Sequence, residues 1–254
     1  MVSNPHSGTL IPSEIAELMT EAALERRDTD WHLSRMYDLP CVESAAVISA
    51  NLSRYVVDLN RSKEDQSLYP GKQTTGLVPK ITFAGEKIYQ PESEPDENEV
   101  AKRIEHYWQP YHDQLESELK RLVSEFGFAV LLDVHSIAPK VPMLFEGELP
   151  HFNFGTNNGE SCGAPFQELI EEAAGEIKGY SHVINGRFIG GYITRHYGSI
   201  PEVHAVQLEL NRETYMEEDT LDWDMVKGQE VLPVIEDFVY KLMKWAENHP
   251  GRKR

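Results

Sequence analysis

The chain has 254 residues, 40% of them hydrophobic and 26% charged, with 24 Lys+Arg against 42 Asp+Glu for a formal charge of −18. That composition supports a folded core and excludes wholesale disorder, a collagen-like repeat and a disulfide scaffold; the acidity repels phosphate backbones and anionic headgroups, so neither nucleic acid nor a membrane is an expected partner. No stretch approaches the ~20 apolar residues of a membrane span and the first residues carry no leader pattern, while two cysteines, Cys41 and Cys162, suit a reducing compartment, so a cytoplasmic protein is expected.

In chain order, a short strand ahead of His6 leads to an amphipathic helix over 13–25, with acids in its first turn and apolar positions at Ile15, Leu18 and Met19. Residues 46–50 and 55–59 are short, β-branched runs and predict neighbouring strands. Seven glycines and prolines, from Pro70 to Pro95, interrupt any period over 62–98. A segment of that length without an element is expected to wall or cover a site.

From 95 to 126 the pattern is helical, with Gly127 as its stop and Pro110 predicting a kink. The apolar run 128–134 predicts a strand covered on both faces. Further helices are expected over 165–177 and 224–248, and strands over 181–185 and 203–210. With no internal repeat and no convincing linker, residues 1–254 are expected to form a single α/β domain.

Ligands of open α/β sheets bind beyond the carboxyl ends of the strands, so ionisable residues there are site candidates. Asp133-Val134-His135-Ser136 ends the most apolar strand, and period-two alternation puts Asp133 and His135 on one face, with His135 at the lip. His135 can ligate a metal with Asp133 supporting it, or it can be a core histidine bonded to a backbone carbonyl. His6, at a strand-to-helix junction, is a second imidazole in a similar setting. A catalytic zinc site needs about three protein ligands, and Asp28, Asp30 and Glu14 are the nearest carboxylates in sequence; turn and N-cap chemistry would equally explain Asp28 and Asp30.

Glu209, near the end of 203–210, is costly to bury without a role or a partner. Beside a metal it would be a general base; otherwise it would pair with Arg212 or another arginine. Arg54 and Arg61 flank 55–59, and Arg187 and Arg195 bracket 188–194, as guanidinium clamps for carboxylates. The glycines fit no phosphate-binding fingerprint and there is no G-x-S-x-G, so activated water is favoured over a protein nucleophile.

Taken together, Pro5-His6-Ser7-Gly8, Asp28-Thr29-Asp30-Trp31-His32, the stretch from Ser53 to Arg61, Leu68-Tyr69-Pro70-Gly71, Asp133-Val134-His135-Ser136, the stretch from Gly186 to Gly198 and Gln207-Leu208-Glu209-Leu210 resemble, in order, the N-formylglutamate amidohydrolase (deformylase) family. The resemblance implies a zinc-carboxypeptidase-like fold with a mixed, mostly parallel sheet flanked by helices. It implies hydrolysis of N-formyl-L-glutamate to formate and L-glutamate, the last step of a bacterial histidine degradation route. It further implies a Zn²⁺ ion on His6, Asp30 and His135, Glu209 as the catalytic glutamate, and Asn60 with Arg61 as a carboxylate-binding pair, with Arg54, Arg187 and Arg195 as further contacts to a small anionic substrate. The compact H-x-x-E pair of zinc carboxypeptidases is absent, Thr9 standing three after His6. Another metal-dependent N-acyl amino acid amidohydrolase, or a carboxypeptidase-like peptidase, is the alternative.

Overall fold

The computed structural model describes residues 1–66 and 74–253; the Leu68-Tyr69-Pro70-Gly71 motif lies outside the described residues. The elements run β1 Val2–Asn4, α1 Ser13–Ala16, α2 Glu21–Leu24, α3 Leu33–Met36, β2 Val47–Ser49, α4 Glu97–Arg103, α5 Gln109–Phe126, β3 Ala129–Ile137, β4 Phe152–Gly155, α6 Ala164–Gly175, β5 His182–Ile184, α7 Tyr192–Gly198, β6 Val203–Asn211 and α8 Met225–Asn248. The strands form one sheet in the order β2-β1-β3-β6-β4-β5. All neighbours are parallel except β4 against β6, so the mixed, mostly parallel α/β architecture is the observed one.

Three local expectations differ from the structure. The helix over 13–25 is two single turns, because Thr20 leaves the helical path to bond the carbonyl of Ile88 and its hydroxyl then caps α2 through Ala23 N–H. Residues 55–59 are buried turns and not a strand. Ser53 Oγ accepts from Tyr55 N–H, and Asp58 Oδ1 from Asn60 N–H, so side-chain oxygens supply the local bonds that a ladder would have taken. Ahead of α3 neither Asp28 nor Asp30 is the cap; that position is His32, with φ 65°.

Pro110 acts as expected. It has no N–H for the carbonyl four residues back, and the helix widens into a π turn over Ile104–Trp108 directly before it. The antiparallel β4 and the helix α7 were not anticipated.

Alternation along β3 and β6 divides the core. Leu132, Val134, Val206, Leu208 and Leu210 face α6 and α8, while Ala129, Leu131, Val203 and Ala205 face α5, α7 and the 50–59 turns. Continuing the second set by period two gives Asp133 and His135 on β3, and Gln207 and Glu209 on β6. The apolar face therefore turns polar at the carboxyl ends of the two central strands. β1 has β2 on one side and β3 on the other, so this end of the β1–β3 pair is a topological switch point, where such sheets open a crevice.

On that same face α5 is tied down by His112, buried at 3% exposure. One ring nitrogen meets the carbonyl of Leu59 at 2.9 Å and the other the hydroxyl of Tyr197 at 2.9 Å. Burial, opposed by the Leu59 bond, lowers its pKa to about 4 from the ordinary 6.5. The unfolded chain therefore binds this proton first, so His112 contributes its full stability above pH 6.5 and loses it as pH falls through 4. From pH 6.5 to 5 the loss is about 2 kcal/mol. Urea unfolding at several pH values should show this slope in the wild type and a shallower one in His112→Gln.

Candidate metal centre and active-site cleft

The parallel register of β3 and β6 pairs Asp133 with Gln207 and His135 with Glu209, so four polar side chains form a two-by-two patch at the strand ends. His6 reaches the same point from the end of β1. Asp30 is held beside it by its own N–H, which bonds the carbonyl of His6 at 3.0 Å.

His6 Nδ1, His135 Nδ1 and Asp30 Oδ2 converge, with separations of 3.1 Å between the imidazoles, 3.2 Å from His135 to Asp30 and 3.7 Å from His6 to Asp30. All three residues are buried, at 4% or less exposure. The far nitrogen of each ring is taken by a carboxylate: His6 Nε2 lies 2.7 Å from Asp58 Oδ1, and His135 Nε2 lies 3.0 Å from Asp133 Oδ2. A ring that donates from Nε2 presents a lone pair at Nδ1, so two lone pairs and a carboxylate oxygen face a common point.

These residues fit a metal ion. Ligands at ~2.0–2.1 Å from a tetrahedral zinc are about 3.3 Å from one another, close to the observed separations, and two imidazoles with a carboxylate are a donor set that leaves a coordination position open. The charge points the same way, since the buried carboxylates Asp30, Asp58, Asp133 and Glu209 surround the cluster with Arg54 as their buried cationic partner. Burying that excess of negative charge is costly unless a cation joins it.

The pKa shifts follow from the crowding. Burial opposes the charge on Asp58, but His6 and Arg54 outweigh it and hold the carboxyl well below the ordinary range. Burial, together with Arg54, lowers His6. In the metal-free chain His135 is pushed well above 6.5, the charge and hydrogen bond of Asp133 outweighing burial, so a cation that takes the Nδ1 lone pair displaces a proton. For Glu209 burial wins: although His135 opposes it, the carboxyl rises to about 8.

The cleft is lined by His6, Asp30, Arg54, Asp58, Asn60, Arg61, His135, Arg187, Gln207 and Glu209, with an apolar wall of Phe83, Ile137, Leu144 and Phe188. Arg54 donates to Asp58 Oδ2 at 2.7 Å and lies 3.8 Å from Asp30 Oδ1, so much of its charge is spent on the cluster. Asn60 is turned inward: Ile193 N–H donates to its Oδ1 at 2.8 Å, which sets Nδ2 3.0 Å from His135 Nε2 as a close contact and not a hydrogen bond, because that ring nitrogen donates to Asp133. Arg61 and Arg187 stand half-buried in the cleft wall. Arg195 does not line the cleft, and its Nε donates to the carbonyl of Gly190 at 2.8 Å.

The alternatives weighed on sequence resolve by position. Glu14 is exposed on α1, where it accepts from Ser13 Oγ. Asp28 is buried but contributes no atom to the converging group, and accepts from Phe83 N–H at 2.7 Å. Arg212 pairs with Glu218 and with backbone carbonyls of the Arg27–Thr29 turn, and not with Glu209. Asp58 was not recognised as a site residue from sequence. The signal was present, because an acid within Val56-Val57-Asp58-Leu59 carries the same burial cost that singled out Glu209.

Comparison with known proteins bears on the family and the fold. The N-formylglutamate amidohydrolase family matches residues 1–216. The chain is 43% identical over 250 residues to an N-formylglutamate deformylase of Pseudomonas putida, covering 97% of this chain and 92% of that protein. It is also 43% identical over 257 residues to an N-formylglutamate deformylase of Pseudomonas aeruginosa, covering 100% and 94%. The crystal structure of an N-formylglutamate amidohydrolase from Ralstonia eutropha JMP134 shares the fold, with a TM-score of 0.78 at 23% identity over 97% of this chain and 92% of that one. A gene product of Agrobacterium tumefaciens does so with a TM-score of 0.72 at 16% identity, over 98% and 91%.

Proposed function

Because the chain belongs to the N-formylglutamate amidohydrolase family, we propose that its cleft hydrolyses N-formyl-L-glutamate to formate and L-glutamate with the aid of one divalent metal ion, zinc by its donor set. The observation that carries this reading is the convergence of His6 Nδ1, Asp30 Oδ2 and His135 Nδ1 beside the Glu209 carboxylate, which β-sheet register sets next to His135. His6, Asp30 and His135 would hold the ion, which when bound lowers the pKa of a water and polarises a carbonyl oxygen.

The chain's own residues do the rest. Glu209 accepts the proton that the attacking water gives up and returns it to the amide nitrogen as the C–N bond breaks, so the amine leaves neutral and the formyl carbon leaves as formic acid, whose remaining proton passes to the freed amine to give formate and the ammonium form of L-glutamate. Burial holds Glu209 near 8 in the metal-free chain, and positive charge in the cluster favours the ionised carboxylate that a base requires. Arg61 and Arg187 pair the substrate's two carboxylates, with Asn60 beside Arg61, while Arg54 chiefly fixes Asp58 and Asp30. Arg195 acts behind them on the Gly190 turn. Phe83, Ile137, Leu144 and Phe188 exclude water and pack the substrate's methylene groups.

On this reading residues 1–254 are one catalytic domain of zinc-carboxypeptidase-like type, acting in the cytoplasm at the end of histidine degradation. Among the described residues no helix is long and apolar enough to cross a membrane.

N-formyl-, N-acetyl- and N-succinylglutamate assayed side by side, with and without chelator, test the proposal. Glutamate release from the first compound alone, lost with chelator and restored by zinc, is expected. Comparable turnover of the acetyl compound would favour a broader N-acyl amidohydrolase, and full activity in excess chelator would remove the metal.

A further inference from the structure

A glutamine in the interior of a central strand is costly to bury unless both ends of its amide are satisfied. Gln207 is 3% exposed on β6, and both ends are taken by parts of the cleft. Gly191 N–H donates to its Oε1 at 2.7 Å. Because a backbone N–H can only donate, that contact fixes the amide, and Nε2 is the end that donates to Glu209 Oε2 at 3.2 Å.

The adjacent strand is built the same way. Asp133, the register partner of Gln207, holds His135 two residues on through Oδ2 at 3.0 Å, just as Gln207 holds Glu209, the register partner of His135. On each strand the inner residue orients the outer one. Gly191 is packed closely against the cleft, since a Cβ there would lie 2.2 Å from Asn60 Nδ2.

We propose that Gln207 is a positioning residue for the reaction: its amide N–H holds Glu209 Oε2, so that Oε1 is the oxygen presented to the water and to the leaving nitrogen. This rests on the reading of Glu209 as the base. An unheld carboxylate rotates about its last side-chain torsion and spends part of its time with neither oxygen aimed at the water. Gln207 does not touch the metal-binding atoms, so its loss acts on turnover and not on metal content.

Three variants test it, with kcat, KM, melting temperature and bound zinc read for each. Gln207→Met fills similar volume and removes both bonds. Gln207→Glu keeps an acceptor for Gly191 N–H and removes the amide donor to Glu209. Both are expected to lose about 10–100-fold in kcat, the usual cost of an outer-shell partner, with KM within about threefold and one zinc per chain. A wild-type kcat in Gln207→Glu would mean that only the Gly191 bond matters and would overturn the proposal, as would a loss carried by KM alone. Should Gln207→Met fail to fold, Gln207→Glu decides by itself. Glu209→Gln separates the two possible failures: if it retains turnover, the base assignment falls; if it is inactive while both Gln207 variants are fully active, only the positioning role falls.

Discussion

Glu209→Gln is expected to keep the fold and one metal ion per chain and to lose about 10²–10⁴-fold in kcat, the range for removing a positioned general base. The side chains are nearly isosteric, and Gln207 Nε2 still finds an acceptor at the position of Glu209 Oε2. What disappears is an atom able to take a proton beside His135. Substrate affinity should change little, because the proposed carboxylate contacts, Arg61 and Arg187, lie elsewhere in the cleft wall. Burial of an uncharged amide in place of a group whose carboxyl is raised to about 8 should leave stability near neutral pH unchanged or slightly improved. Turnover near that of the wild type would remove Glu209 as the base. The assay is formate release at saturating substrate, paired with metal analysis of the same preparation.

His135→Ala is expected to be the more disruptive change. It removes one ligand atom from the cluster and at the same time leaves Asp133 and Asp30 buried without the imidazole that both contact. Breaking a buried ion pair in this way costs roughly 3–5 kcal/mol, so a marked fall in melting temperature is expected alongside loss of stoichiometric zinc and of measurable formate release. Asp58→Asn serves as the graded comparison. Asp58 bonds His6 at its far nitrogen, 2.7 Å away, so its neutral variant should weaken metal binding by about 10–100-fold and not abolish it. Equilibrium dialysis against zinc for the three proteins orders the effects. A folded His135→Ala protein with one tightly bound zinc would contradict the ligand assignment.

Much of the architecture was legible before any coordinates. The apolar run 128–134 marks a strand covered on both faces, and the alternation through 203–210 a strand with one apolar and one polar side, because side chains on a strand point to opposite faces in turn and a burial pattern is thereby written into the order of residues. Polar residues at the ends of such runs are visible for the same reason, and His135 and Glu209 were found this way. Pro110 and Gly127 act through their own backbones and needed no partner to be read correctly. The errors fell where a side-chain bond or a long-range partner overrode a local pattern. Residues 55–59 carry the β-branched signature of a strand, yet Ser53 and Asp58 divert the backbone into turns. The helix over 13–25 breaks where Thr20 meets Ile88, far along the chain.

The candidate site divides along the same line. Sequence by itself determined the family, the sheet and the pair of strand ends where the candidate site lies, because these follow from short periods, motif order and the cost of burying charge. The tertiary structure set Asp30, the carboxylate that the resemblance implies, beside the imidazoles, and not Asp28 or Glu14. It brought His6 to His135 across 129 positions and Asp30 to His135 across 105, left Glu14 in solvent, and showed that Asp58 and Gln207 belong to the site while Arg195 stands behind it. The reason is physical: a residue's type and local period state what it would cost to bury, but its partner is set by separations of a few ångströms between segments whose distance along the chain carries no such information.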